Sequence, residues 1–240
     1  MRGEQSWLKL GFVAKEIDNE IIEGSLICSH PACQREHPIF DGIPVVLADA
    51  SSWIANQFSA VIRREDLSDF AESLIGDLAG QGSGFDHERG NNSIYAHAHW
   101  GQEGGYPHLF EAAMQLLAER PSGLWLDIGC SVGRGTFELA RRTGELAVGL
   151  DLNFSMLRLA ERIRRTRRVR YSRRRVGLVF DPVDNPLAEE FLTENVSFWC
   201  ADVSILPFPD AAFAGAISMN MLDCVASPLG LLLELSRTIA

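Results

Sequence analysis

The spacing of apolar residues changes several times along this chain, and each change marks a different kind of element. Residues 20–48, "EIIEGSLICSHPACQREHPIFDGIPVVLA", alternate short β-branched runs with turn signals at Glu23-Gly24 and Asp41-Gly42 and with Pro31, Pro38 and Pro44. This pattern predicts a small all-β unit over residues 1–50. From Ser51, "SSWIANQFSAVIRREDLSDFAESLIGDLAG" repeats apolar residues every three or four positions, which predicts helix in two pieces with Ser51 as its N-cap. Residues 80–93, "GQGSGFDHERGNNS", are rich in glycine and polar side chains and read as a loop or linker. "PHLFEAAMQLLAER" then offers a proline at a first helical position and ends before Pro121-Ser122-Gly123. Beyond it strands at 124–128, 146–150, 196–200 and 213–218 alternate with helices starting near Gly133, Asn153 and Pro228. Alternation of this kind predicts an α/β fold, a parallel sheet covered by helices.

The first of these strand-to-helix turns, "LWLDIGCSVGRGTFELA", carries the clearest chemistry. A strand running into Gly129, Gly133 and Gly135 and then a helix sets bare backbone amides and a positive helix end beside a ligand. Such a turn alone serves dinucleotides and other nucleoside cofactors equally. Asp127 narrows the choice, because a carboxylate inside the turn repels a pyrophosphate and favours an amino group. A dehydrogenase is thereby disfavoured. Asp151 ends the next strand, where a carboxylate takes two ribose hydroxyls. Asp202 follows the third strand, where it can accept from an adenine amino group. Each aspartate alone could equally be a helix cap, as Asp151 with Asn153 illustrates.

On these residues the chain resembles the class I S-adenosylmethionine-dependent methyltransferases, especially the small-molecule type. Their acidic-x-Gly-x-Gly-x-Gly turn is matched by Asp127, Gly129, Ser131 and Gly133, with serine in place of the middle glycine. Their acidic residue after the second strand matches Asp151. Their later signature matches Ala201, Asp202, Leu206, Pro207, Phe208, Asp210 and Phe213, with Ala214 where aspartate is usual. The resemblance covers about residues 105–240 and implies S-adenosyl-L-methionine as methyl donor. Asp127 would meet its methionine end, Asp151 its ribose, Leu152 its base and Asp202 its adenine amino group, with Val203 and Met219 bordering the site. It also implies a Rossmann-like sheet of seven strands, of which this chain would lack the last three. Phe213–Ser218 is then expected as an apolar edge, which a partner subunit could complete. Residues 51–104 would form a helical linker and cofactor lid, with "IYAHAHWG" in the lid. Asp223, Tyr95 and His99 are the candidate catalytic groups; loop carboxylates and lid aromatics also serve ordinary solvation and packing. The loop "SMNMLDCV" lacks the Asn-Pro-Pro-aromatic motif of amino-methylating nucleic-acid enzymes.

The front unit resembles the second half of a small zinc-ribbon-like family whose members activate or precede methyltransferases, notably through "PIFDGIPVVL". Zinc prefers four thiolate or imidazole ligands, and only Cys28 and Cys33 are available, with His30 and His37 nearby. Packed thiols, and no metal site, are expected. The five cysteines of the chain are odd in number and scattered, so a disulfide framework is not expected. No apolar run approaches the roughly 20 residues of a membrane span, and no secretory leader is legible, so the expected compartment is the cytoplasm.

Charge adds one further feature. The formal net charge is −10, yet residues 158–175 hold ten arginines and one glutamate. Such a run is either a solvated face or an anion contact, and Tyr171 within it could stack on an RNA base. The leading expectation is methyl transfer to a small molecule. The alternatives are an RNA methyltransferase using residues 158–175 and a noncatalytic donor-binding partner subunit.

Overall fold

The computed structural model of the chain describes residues 7–62, 69–117 and 121–240. Four strands open it, β1 (Leu8–Ile17), β2 (Glu20–Cys28), β3 (Glu36–Phe40) and β4 (Ile43–Val46), each antiparallel to the next. Three helices follow, α1 (Ala50–Ile62), α2 (Asp69–Ala79) and α3 (Gly84–Trp100), and then α4 (Tyr106–Gln115). The rest alternates: β5 (Trp125–Ile128), α5 (Arg134–Thr143), β6 (Ala147–Asp151), α6 (Phe154–Thr166), a hairpin of β7 (Arg168–Val176) and β8 (Val179–Pro186), β9 (Val196–Ala201), β10 (Gly215–Ser218) and α7 (Pro228–Thr238). The middle of the helical stretch expected after Ser51 and the end of the helix expected at 107–120 lie outside the described residues.

One eight-stranded sheet runs through the chain in the order β1-β2-β3-β4-β9-β6-β5-β10. Strands β4, β9, β6, β5 and β10 are parallel to one another. Period-two alternation divides their side chains between two apolar layers. Trp125, Ala147, Val196, Phe198 and Cys200 face one layer, with α3, α4, α5 and α6 residues such as Ala96, Phe110, Phe137 and Leu157. Leu126, Ile128, Val148, Leu150 and Ala201 face the other, where Leu231 of α7 packs. The front β unit is continuous with this architecture. Val45 and Val46 pair with Cys200 and Ala201, and Ile43, Val45 and Leu47 enter the same core as Phe154 and Leu157. Strand β10 pairs with β5 along one side. Among the described residues its other side begins with a single bridge, Phe213 to Ile239.

Three sequence expectations need correction. Asp49, not Ser51, caps α1, because its carboxylate accepts from both Ser52 N (3.0 Å) and Ser52 Oγ (2.7 Å). Residues 80–93 are not a linker: α3 begins at Gly84 with Ser83 as N-cap, its Oγ accepting from Asp86 N at 3.2 Å. Its glycines and asparagines are poor helix formers, so tertiary contacts hold it. Arg174 ion-pairs with the buried Asp86, the Arg174 main-chain N–H donates to Ser93 Oγ at 2.6 Å, and Asn92 Nδ2 donates to Ser155 Oγ at 2.8 Å.

The third correction concerns the arginine run, which is a solvated face only in part: Arg168, Arg170, Arg173 and Arg175 are exposed, and the other six are buried or half-buried. It spans α6 and the hairpin strand β7, and at least seven of its ten arginines are ion-paired among the described residues: Arg158 to Asp41, Arg164 to Glu20 and Glu161, Arg165 to Glu161, Arg167 to Glu194, Arg168 to Asp184, Arg174 to Asp86 and Arg175 to Asp181. Tyr171 is buried, its hydroxyl 3.1 Å from His97 Nδ1, and offers no platform for a base. RNA binding through this segment is not supported.

Two of these pairs fasten the front unit to α6. Arg158 is 5% exposed, and its guanidinium donates to Asp41 Oδ2 at 2.7 Å and to the Val61 carbonyl at 2.7 Å. Truncating Asp41 removes one carboxylate from that buried cation. Asp41→Ala is therefore expected to lower stability by about 2 kcal/mol in urea unfolding, more than an exposed pair such as Lys15–Glu23 would.

Candidate cofactor site at the glycine turn

Strand order places a cleft where the sequence places its chemistry. From β5 the chain moves outward through β6 and β9, then crosses back to β10 on the other side of β5. The loops after β5 and β10 therefore diverge, and ligands of open α/β sheets bind in the crevice so formed.

The turn after β5 is built from three left-handed residues, Gly129 (φ 73°), Ser131 (φ 51°) and Gly133 (φ 83°). Ser131 stands where glycine would be unstrained, at a cost of about 1 kcal/mol. Its main-chain N–H donates to Asp151 Oδ2 at 2.9 Å and its hydroxyl lies 3.2 Å from Met156 Sδ, contacts that offset the strain. Glycine at 129 is favoured by φ, and a Cβ there would displace the flexible side chain of Met221. At Gly135 a Cβ would lie 2.3 Å from Tyr106 Oη and 2.8 Å from Asp127 Oδ2, so both polar atoms converge on that glycine.

Asp127 is 1% exposed and accepts from Thr136 Oγ1 at 2.8 Å. Burial pushes its carboxyl up to about 7; the Thr136 bond opposes this and the charge of Asp151 adds to it. Asp151, at the end of β6, accepts from Ser131 N and, at 2.8 Å, from Asn153 N. Burial raises it nonetheless, against those amides. Neither carboxylate has an ion-pair partner among the described residues. The nearby Arg134 is committed elsewhere, 3.0 Å from Glu138 and stacked over the rings of Phe191 and Trp100. A cluster of buried acid without a cation favours a ligand that brings positive charge.

The remaining predicted residues fall around this turn or away from it. Asp202 follows β9, half-buried, accepting from Ser204 N at 2.8 Å. Val203 is buried in the second apolar layer, and Leu152 stands 44% exposed beside Asp151. Met219 packs against the main core, whereas Met221, which the sequence reading did not single out, lies on Gly129. Asp223 is exposed, with Cys224 Sγ 3.8 Å from its carboxylate. The end of α3 covers the turn: Trp100 Nε1 donates to the Val132 carbonyl at 3.0 Å. Tyr95 is exposed there, but His99 is 5% exposed and stacks on Tyr106 at 3.8 Å. Burial, with Arg134 adding, pushes His99 down to about 3, so its imidazole is neutral. Tyr106 is a second residue missed in the sequence. In the front unit Cys33 is exposed and Cys28 half-buried. Among the described residues, no group of three or more His, Cys, Asp or Glu could hold a metal ion, and no helix is long and apolar enough to cross a membrane.

Residues 126–240, just under half the chain, match a family described as "Methyltransferase domain". No curated protein matches. Similar solved structures include geranyl diphosphate C-methyltransferase from Streptomyces coelicolor, in complex with S-adenosyl-L-homocysteine (18% identity, 55% of this chain and 40% of that one, TM-score 0.41). Another is the complex of the Haloferax volcanii Trm112 methyltransferase activator with a methyltransferase (18% identity, 74% and 57%, TM-score 0.44). A third is the Haemonchus contortus phosphoethanolamine N-methyltransferase 2 in complex with S-adenosyl-L-methionine (15% identity, 74% and 34%, TM-score 0.46). The chain spans about half or less of the length of the first structures it matches.

The two buried titrations act in opposite directions on stability. Asp127 has a folded value of about 7 against an ordinary 3.8, so its contribution is complete below pH 3.8 and is lost as pH rises through about 7. His99 has a folded value of about 3 against 6.5, so its contribution is present above pH 6.5 and is lost as pH falls toward about 3. Asp127→Asn removes the first. The ligand-free variant is expected to melt above the native chain at about pH 8, and the gap to shrink by about pH 5.

Proposed function

We propose that the chain is an S-adenosylmethionine-dependent methyltransferase acting on a small-molecule acceptor. The observation that carries this reading is Asp127, a carboxyl buried at the end of β5 with no cationic partner among the described residues. The residues present fit this donor. Asp127 can take an α-ammonium group, the two oxygens of Asp151 retain acceptor capacity for ribose hydroxyls, and Asp202 can accept from an adenine amino group. Leu152 would pack on the base, and Val203 and Met219 would border the site. The family match over residues 126–240 supports the same reading.

S-adenosylmethionine would supply a sulfonium-activated methyl group, which a nucleophile can take by direct displacement. The residues of the chain need only bind, align and exclude water, since much of the barrier in such a reaction is positional. The lid formed by Trp100, His99 and Tyr106 serves the exclusion. Met221, on Gly129, borders the cleft between β5 and β10 with an apolar thioether. Asp223, Tyr95 and His99 remain candidates for work on the acceptor: Asp223 and Tyr95 are open to solvent, and His99 is neutral.

A second reading is a donor-binding subunit that a partner completes. It is favoured by the one-sided pairing of β10, whose outer edge carries a single bridge among the described residues. Copurification of a second subunit that pairs along β10 would support it.

Titration with S-adenosylhomocysteine by calorimetry tests the main proposal. Saturable binding is expected, with no binding of NAD, and Asp151→Ala is expected to weaken it by about 10-fold or more. A folded chain that binds neither ligand overturns the proposal.

A further inference from the structure

Asp127 is 1% exposed, Tyr106 Oη converges with it on Gly135, and Trp100 at the end of α3 is hydrogen-bonded to the turn. A ligand reaches that carboxyl only when this cover moves. Residues 101–105, which join α3 to α4, include Gly101, Gly104 and Gly105 and supply little stiffness of their own. The contacts that fix α3 over the turn must therefore lie along the helix itself.

The β7–β8 hairpin runs along one face of that helix. Its two strands form a sheet of their own, and a lone hairpin is marginal in water, so it is held by what it touches. Its base is fixed: Val169, Tyr171 and Leu187 enter the main core, and Leu187 N donates to the Arg167 carbonyl at 2.8 Å. Asp86, Arg89, Ser93 and His97 of α3 lie three or four residues apart, on one stripe, and each meets the hairpin. Arg174 Nη2 donates to the Asp86 carbonyl at 2.9 Å and to Asp86 Oδ1 at 2.5 Å, and Arg174 N donates to Ser93 Oγ at 2.6 Å. The Arg89 guanidinium lies 3.9 Å from the centroid of the Phe180 ring of β8. Tyr171 Oη is 3.1 Å from His97 Nδ1, close to the end that carries Trp100. A Cβ at Gly90 would lie 2.7 Å from Arg174 Nη2, so the guanidinium rests directly on the helix backbone. Asp86 and Ser93 are buried, which strengthens these bonds.

We infer that the β7–β8 hairpin is a latch that holds α3 shut over the glycine turn and so sets the rate at which the donor exchanges, with Arg174 and Tyr171 as its positioning residues. The inference rests on the S-adenosylmethionine reading. The latch acts through α3, on the helix face that turns away from the glycine turn. Its contacts are the same whether or not a ligand lies beneath, so they slow opening in both states and leave the binding equilibrium nearly unchanged. The arginine run thereby gains a use beyond stability, since Arg174 within it holds the helix that covers Asp127.

The test joins hydrogen exchange of the ligand-free chain to stopped-flow binding of S-adenosylhomocysteine. In Arg174→Ala the amides of α3 are expected to exchange about 10-fold faster, with β5 and β6 unchanged, and association and dissociation both to accelerate by about 10-fold. Tyr171→Phe, which keeps the buried ring, is expected to shift the same quantities in the same direction by about 3-fold. Arg174→Lys, which restores the charge on Asp86, is expected to recover part of the native rates, and Arg173→Ala, on an exposed side chain, to leave them unchanged. Exchange that rises equally in β5 and β6 makes the hairpin a general brace and overturns the inference. Dissociation that rises alone means a damaged site and overturns it too, as do native rates in both Arg174→Ala and Tyr171→Phe. If the native chain binds no S-adenosylhomocysteine, the donor reading itself fails and the gating inference with it, whatever the exchange of α3.

Discussion

The arrangement around β5 depends on one constraint: a carboxyl group is buried at the strand end where no cation accompanies it among the described residues. Asp127 is sealed by Thr136, by Gly135 and by Tyr106, and its burial pushes its carboxyl up to about 7. A buried charge of this kind is expensive unless matched, and structures rarely keep one without use. The surrounding features follow from keeping it in place. The left-handed turn brings Ser131 N to Asp151, the small residues at 129 and 135 leave room for Met221 and Tyr106, and Trp100 closes the loop from above.

The front β unit is tied to the same site through the sheet. Val46 pairs with Ala201, the residue before Asp202, and Arg158 anchors Asp41 to the helix that begins after Asp151 and Asn153. Both proposed adenosine contacts are therefore braced by a strand and an ion pair from residues 41–46. The arginine run extends this role, joining α6 to the front unit through Glu20 and the β7–β8 hairpin to α3 through Asp86. Much of its charge is paired within the chain.

What was legible in the sequence is what local geometry dictates. Asp127, Asp151 and Asp202 could be set at strand ends because a short apolar run, a turn and an amphipathic helix fix the strand's last residue within one or two positions. Helix α3 was misread because its glycines and asparagines speak against helix, while the contacts that hold it, Asp86 to Arg174 and Ser93 to the Arg174 amide, lie 88 and 81 residues away. The hairpin was missed because arginines mask the alternation of Val169 and Tyr171. Arg164 finds Glu20 across 144 residues and Arg158 finds Asp41 across 117, distances over which no spacing rule operates. Tyr106 and Met221 lacked any local signal, since their roles arise only where loops from different strands meet at the switch point.

The central claim is that Asp127 awaits a cation, and proton linkage tests it directly. Calorimetric titration with S-adenosylhomocysteine near pH 7, in buffers of different ionisation enthalpy, counts protons exchanged on binding. Pairing with the ligand's ammonium fixes Asp127 in its ionised form, so the account predicts release of about half a proton, absent in Asp127→Asn. Binding with no proton release, or with the same release in the variant, would contradict it.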